Sequence, residues 1–301
     1  MSFKNHNIRV VLHIQKSDIV ETITINSDES GENKLFIDLD FTICGGATSN
    51  MSTATIYGLS YDTIKKCMVV LYRQDTTNSE NRAEVYVDDA LAFKGNIHTS
   101  IGDFSDGENP KLVIRVLPSI VMQAVADRQL KIPEIEDNFS QCKIVEALQI
   151  IAVRSGLKLH GVNSGTSLYA DKANNPLPCQ LTFEGSNMEI IDQFMRQFNL
   201  SWYIHNDILY WGDHGEIPAS GDTEKRNLYI LPKTSYPQIT DKGINIRCEY
   251  IKGLSIGCLI KPDTIVPYAD SEFAVAQMSV RLSTRTGEWF CDLECYFVWD
   301  N

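Results

Sequence analysis

The stretch Ala54-Thr55-Ile56-Tyr57-Gly58-Leu59-Ser60, followed by Thr63-Ile64-Lys65 and closed by Phe93-Lys94-Gly95-Asn96-Ile97, decides how the chain reads. A strand runs into a short turn of helix opened by Ser60, and two further strands end in a Phe-x-Gly-x-Ile step. No residue in it has the spacing of a catalytic motif. It reads as architecture.

Outward from this stretch, residues 8–118 carry the period-two alternation of half-buried strands. Leu35 to Ile43 alternates apolar with polar over four pairs, and Arg9 to Ile14 is a β-branched run. Met68–Tyr72, Glu84–Val87, Leu91–Ile97 and Leu112–Val116 complete the set, separated by polar, Gly-containing stretches. After Pro118 the character changes. Ser119 to Leu130 reads as helix, and Ser140 is placed to cap a second helix through Ile144, Ala147, Leu148, Ile151 and Ala152. Gly156 stands where a left-handed C-terminal cap is expected.

A β-α-β-β unit follows. Gln180 to Phe183 is its first strand, and Ser186-Asn187-Met188-Glu189 is a capping box opening a helix through Phe198. Ser201–Ile204 and Asp207–Trp211 form a hairpin around His205 and Asn206. A polar linker, Gly212 to Arg226, leads into a last β stretch. Its strands are Leu228–Leu231, Ile244–Ile251, Ser255–Ile260, Val275–Leu282 and Trp289–Trp299. The expected fold is therefore α+β and mainly β: two tube-like barrel or sandwich domains around a helical and βαββ middle. The expected domains are 1–118, 119–178, 179–214 and 215–301.

The chain has 301 residues and a formal net charge of −12. An acidic balance argues against a protein that grips DNA or an anionic membrane, since both require cationic surface. No run of apolar residues approaches the ~20 that span a bilayer, and Met1–Ser17 has no signal-peptide pattern. The eight cysteines, at 44, 67, 142, 179, 248, 258, 291 and 295, form no Cys-x-x-Cys pair, so they read as free thiols of a reducing compartment. Cys291 and Cys295 share a strand face.

The cluster richest in chemistry is His205, Asp207, Asp213 and His214, beside Trp202, Tyr203, Tyr210 and Trp211. His and Asp together bind metals or exchange protons, and aromatics beside carboxylates stack on sugar rings. The same residues also read as turn chemistry and as helix cover. Glu134, Glu136 and Asp137 beside Pro133 read as a solvated linker, and the basic residues form no stripe. No Walker loop, Gly-x-Ser-x-Gly, His-Glu-x-x-His or dinucleotide fingerprint is present, so no catalytic, cofactor or metal residue is assigned.

The run from Ala54 to Ser60, with Thr63-Ile64-Lys65 and Phe93-Lys94-Gly95-Asn96-Ile97 after it, resembles the A-x-I-x-N-L-S and F-x-G-x-I signature of phage tail baseplate hub proteins, the Mu-like central hub family of contractile tails. Gly58 replaces the usual Asn. Arg154-Ser155-Gly156-Leu157, the unit from Leu181 to Trp211, and the segment Gly243 to Pro262 resemble successive parts of the same family. The resemblance implies a homotrimer whose two tube-like domains per chain imitate a six-fold ring. Its partners would be a tail-tube ring, a trimeric spike and other baseplate proteins, with DNA passing through an acidic lumen and no membrane insertion. It further implies a virion location, in the tail baseplate, after synthesis in the host cytoplasm. Set beside large hub proteins of that family, the sequence is expected to lack their further domains. The competing readings are a cell-wall or glycan-binding module with weak hydrolase activity, centred on Trp202, Tyr203, Tyr210 and Trp211, and a metal-dependent enzyme using His205, Asp207 and His214.

Overall fold

A computed structural model of the chain describes residues 6–16, 19–27, 35–46, 51–69, 81–107, 109–118, 120, 129–133, 141–160, 174–213, 227–232 and 237–298. The fold is α+β and mainly β. The first region holds β1 (Ile8–Lys16), β2 (Ile19–Asn26), β3 (Phe36–Cys44), β4 (Ser52–Tyr57), α1 (Tyr61–Cys67), β5 (Arg82–Val87), β6 (Ala90–Asp103) and β7 (Lys111–Leu117). The alternation in β3 and β4 does what period two requires: Ile37, Leu39, Phe41 and Ile43 face inward, as do Ala54 and Ile56.

The opening signature has a physical explanation in this region. Ser60 caps α1, its hydroxyl accepting from the Thr63 N–H at 3.2 Å, while Ile64 and Cys67 anchor the helix in the core. β6 pairs with β5 over its first half and with β7 over its second. Gly95 sits where the partner changes. A Cβ there would lie 2.2 Å from the Leu117 carbonyl oxygen, so the crossing admits no side chain. Phe93 and Ile97 on either side are buried.

The middle region holds β8 (Gln129–Ile132), α2 (Ile144–Arg154), β9 (Lys158–Leu159), β10 (Leu181–Glu184), α3 (Asn187–Gln197), β11 (Leu200–His205) and β12 (Ile208–Asp213). The expected helix over Ser119–Leu130 falls mostly outside the described residues, but its end is corrected: Gln129 and Leu130 are strand, paired with β10. Ser140 also lies outside them. Lys143 stands at the N-cap of α2, its backbone N–H donating to the Glu146 carboxylate at 2.9 Å. Gly156 takes the left-handed conformation at φ 67°, and Leu157 N–H reaches back to Ala152 O at 2.8 Å, closing a Schellman turn. Ser186 and Glu189 form the capping box on α3, with Ser186 N–H to Glu189 Oε2 at 2.7 Å.

β13 (Leu228–Leu231), β14 (Gln238–Ile239), β15 (Gly243–Glu249), β16 (Leu259–Pro262), β17 (Phe273–Ser283) and β18 (Trp289–Phe297) make up the last region. Ser255–Cys258, expected as strand, is turn. Met68–Tyr72 leaves only a single bridge, Val69 to Ser100, with residues 70–72 outside the described set. Trp299 lies outside it too.

All strands of the two flanking regions belong to one thirteen-stranded sheet, in the order β14-β15-β18-β17-β3-β4-β7-β6-β5-β1-β2, with β16 on β17 and β13 on β16. The join is β17. Its start pairs with β16, its remainder from Gln277 to Ser283 pairs with β3, and β18 runs along its other side. The sheet curls enough that Lys252 Nζ donates to the Asp88 carbonyl at 2.7 Å, while His6 beside Asp88 packs edge-on against Trp289 at 4.4 Å. Its apolar residues form one continuous core, and the middle region has a second core of its own.

The aromatic hairpin and the open outer face

The hairpin β11–β12 lies between those two cores. Its register pairs Trp202 with Trp211 and Tyr203 with Tyr210. Because neighbouring side chains on a strand point to opposite faces, the tryptophans turn one way and the tyrosines the other. Trp202 and Trp211 join the middle core with Ile191, Phe194 and Leu209. Tyr203 and Tyr210 join the sheet core. The two tyrosine rings stack at 4.6 Å, 7° from parallel, and Tyr203 Oη donates to the Ile256 carbonyl at 3.3 Å. Trp211 Nε1 donates to the His160 carbonyl at 3.0 Å. All four rings are buried. A sugar-stacking platform needs an exposed ring face, and none of these four offers one.

The tip of the hairpin is also spoken for. The register makes Asn206 and Asp207 the two turn residues, one position later than the sequence spacing placed them, and both have positive φ, at 52° and 61°. Asn206 Oδ1 accepts from the Lys94 N–H at 3.0 Å, and Asp207 Oδ2 lies 3.1 Å from Lys94 Nζ. The turn thus plugs into β6 beside the Phe93-x-Gly95 step. His205 Nε2 lies 2.9 Å from Asn206 Nδ2, which places the imidazole as acceptor and its proton on Nδ1. Desolvation pushes its pKa down to about 4, so the ring is neutral near pH 7. Asp213 ends β12, and His214 lies outside the described residues. His205 and Asp207, which sequence alone offers as part of a metal or acid–base site, belong instead to a docking joint between the middle unit and the sheet. Among the described residues no group of three or more His, Cys, Asp or Glu is arranged to hold a metal ion.

Five of the eight cysteines fall into the cores. Cys67, Cys248, Cys258, Cys291 and Cys295 are buried free thiols. Cys248 and Cys291 face each other across β15 and β18 with sulfurs 3.3 Å apart, and that thiol contact, with burial, drives the Cys291 pKa up. Cys291 and Cys295 share the buried face of β18.

A cleft of about 770 Å³ and mixed polar and apolar lining opens where the C-terminal end of α3 meets β3, β17 and β18, lined among others by Asp192, Met195, Arg196, Leu200, Gln277 and Glu294. Asp192 and Arg196 are paired with each other at 2.8 Å. The other conspicuous surface is apolar: Leu228 and Ile230 on β13 and Ile265 and Tyr268 in the loop after β16 are all exposed. The strand Leu228–Leu231 is legible in the sequence, but the exposure of its second face is not written in its alternation.

The arrangement of elements has counterparts among solved structures. The E. coli c3393 protein, described as a component of the type VI secretion system with structural similarity to the T4 bacteriophage tail proteins gp27 and gp5, superposes with a TM-score of 0.56, covering 90% of this chain and 76% of that one at 9% identity. The 43 kDa tail protein of prophage MuSo2 from Shewanella oneidensis gives 0.56, over 95% of this chain and 96% of that one at 8% identity. The chain has a tail-protein fold. A tail protein from Neisseria meningitidis MC58 matches at 0.54, covering 96% of each chain at 10% identity. No protein-family model and no curated protein matches the sequence. The tail-protein fold thus persists here at identities where sequence similarity has largely vanished. No described helix is long and apolar enough to cross a membrane.

Proposed function

We propose that the chain is a structural hub protein of a phage tail or a related contractile injection particle. The observation that carries this reading is the likeness of nearly the whole chain, both β regions and the middle unit included, to tail proteins. In this reading residues 1–118 and 215–301 are two tube-like modules, and 119–178 and 179–214 are the helical connection and small domain between them. Three copies then present six modules around one axis. One face of that ring docks on the six-fold tail tube, and the other holds a three-fold spike.

The mechanism is mechanical. A sheet with free edges closes on itself when neighbouring subunits supply the missing strands, which removes the exposed backbone groups and fixes the symmetry. The net charge of −12 suits a channel that DNA traverses without adhering. The role needs no nucleophile, acid–base pair or cofactor, and His205 and Asp207 sit in the turn that holds the middle unit to the sheet. Negative-stain electron microscopy of the purified chain mixed with tail-tube and spike proteins tests the reading. Three-fold rings bridging tube and spike are expected. Failure to associate with either partner would overturn it.

A further inference from the structure

β13 and β16 pair in parallel, and both carry apolar residues on both faces. Tyr229, Leu231, Ile260 and Pro262 face the core, whereas Leu228, Ile230 and Leu259 face outward beside Lys261. Parallel strands with such a pattern are ordinarily covered on both sides. Here Ile230 is 71% exposed and Leu228 46%. Among the described residues β13 pairs with β16 alone, so its far edge presents unpaired backbone groups.

The loop after β16 extends this surface. Asp263 N–H donates to the Leu231 carbonyl at 2.9 Å, and the next residues carry Ile265 at 99% and Tyr268 at 84% exposure. The loop is braced: Val266 N–H donates to Thr264 Oγ1, Ala269 N–H donates to Val266 O, and Ala269 is fully buried. Tyr268 adopts a left-handed φ of 67°, a conformation that disfavours bulky side chains. A braced loop that holds two large apolar side chains in water, one of them on strained backbone, is shaped for a contact.

We propose that this face receives an extended segment of a different polypeptide, added as a strand along the free edge of β13, with alternate apolar residues over Leu228 and Ile230 and Lys or Arg at its ends. Charge selects that occupant. Asp263, Asp270 and Glu272 are exposed around the patch, and among the described residues Lys261, 3.8 Å from Asp270, is the cation beside them. A second copy would bring the same carboxylates to meet their equals, whereas a basic-ended strand neutralises them. The backbone edge supplies affinity and the side-chain alternation supplies register, as in other strand additions.

The test uses the purified full chain and a labelled peptide of alternating Val and Thr with two Lys at each end, followed by fluorescence anisotropy. A twin peptide with Glu at its ends serves as control. Saturable binding of the Lys-ended peptide is expected, weakened ~tenfold by molar salt, which collapses the screening length to about 3 Å. Ile230→Lys and the double variant Ile265→Ser, Tyr268→Ser should lose it while melting at the parent's temperature. Absence of binding, equal binding of both peptides, or full binding by Ile230→Lys would overturn the proposal. A drop in particle mass on Ile230→Lys, read by light scattering, would assign the face to a second copy and overturn it as well. Parent particles with the mass of a single chain would instead count against the ring, whatever the peptide does.

Discussion

The hairpin β11–β12 and the pair β13–β16 are both apolar on two faces, yet they do opposite things. The hairpin has a core on each side: tryptophans in one, tyrosines in the other. The parallel pair has a core on one side and water on the other. By residue type the hairpin is the better candidate site, with its histidine, aspartate and four large aromatics. Cover decides otherwise. Groups engaged within the chain hold the chain together, and the surfaces the monomer leaves uncovered are the ones open to a partner.

Breaking the covered region should cost most. Tyr203→Ala removes a buried ring, its stack on Tyr210 and its bond to Ile256, and should lower unfolding free energy by about 4 kcal/mol in a urea titration. A loss within 1 kcal/mol would mean that the hairpin is not wedged between two cores. Gly95→Ala should cost about 3 kcal/mol, because the new Cβ overlaps the Leu117 carbonyl and β6 must move to accept it.

A smaller effect comes from pH. His205 has a folded pKa of about 4 against about 6.5 when unfolded, so the unfolded state binds a proton first. Its contribution is intact above about pH 6.5 and is lost as pH falls toward about 4. His205→Gln should flatten that part of a stability–pH profile, and an unchanged slope would show that the ring is not desolvated. The smallest effect belongs to the open face. Ile230→Lys should change stability by less than ~0.5 kcal/mol, since the side chain stands in water, and a large loss would reveal an unseen internal partner.

Much of the local structure was legible in the sequence. The Ser186–Glu189 box, Gly156 and the alternation in β3 each need only a few neighbouring residues to operate, so a short window contains their cause. The start of α2 was not legible, because Lys143 is a poor capping residue and only its backbone bond to Glu146 marks the position. Nor was the pairing of β3 with β17, whose residues stand more than two hundred positions apart and alternate like every other strand in the sheet. Likewise β10 pairs with β8 and not with the hairpin that follows it in the expected βαββ unit. The candidate site fared worst. His205, Asp207 and the aromatic rings can be listed from sequence, but their mutual satisfaction depends on Lys94 and Ile256, which only folding brings to them.

The account rests on the claim that this chain works by associating through the surfaces it leaves open. The mass of the purified protein in solution, measured by multi-angle light scattering across a wide concentration range, tests it most directly. The account predicts particles of three chains, retained in Ile230→Lys. A single-chain mass at every concentration, in the presence as well as the absence of tail-tube and spike proteins, would contradict it.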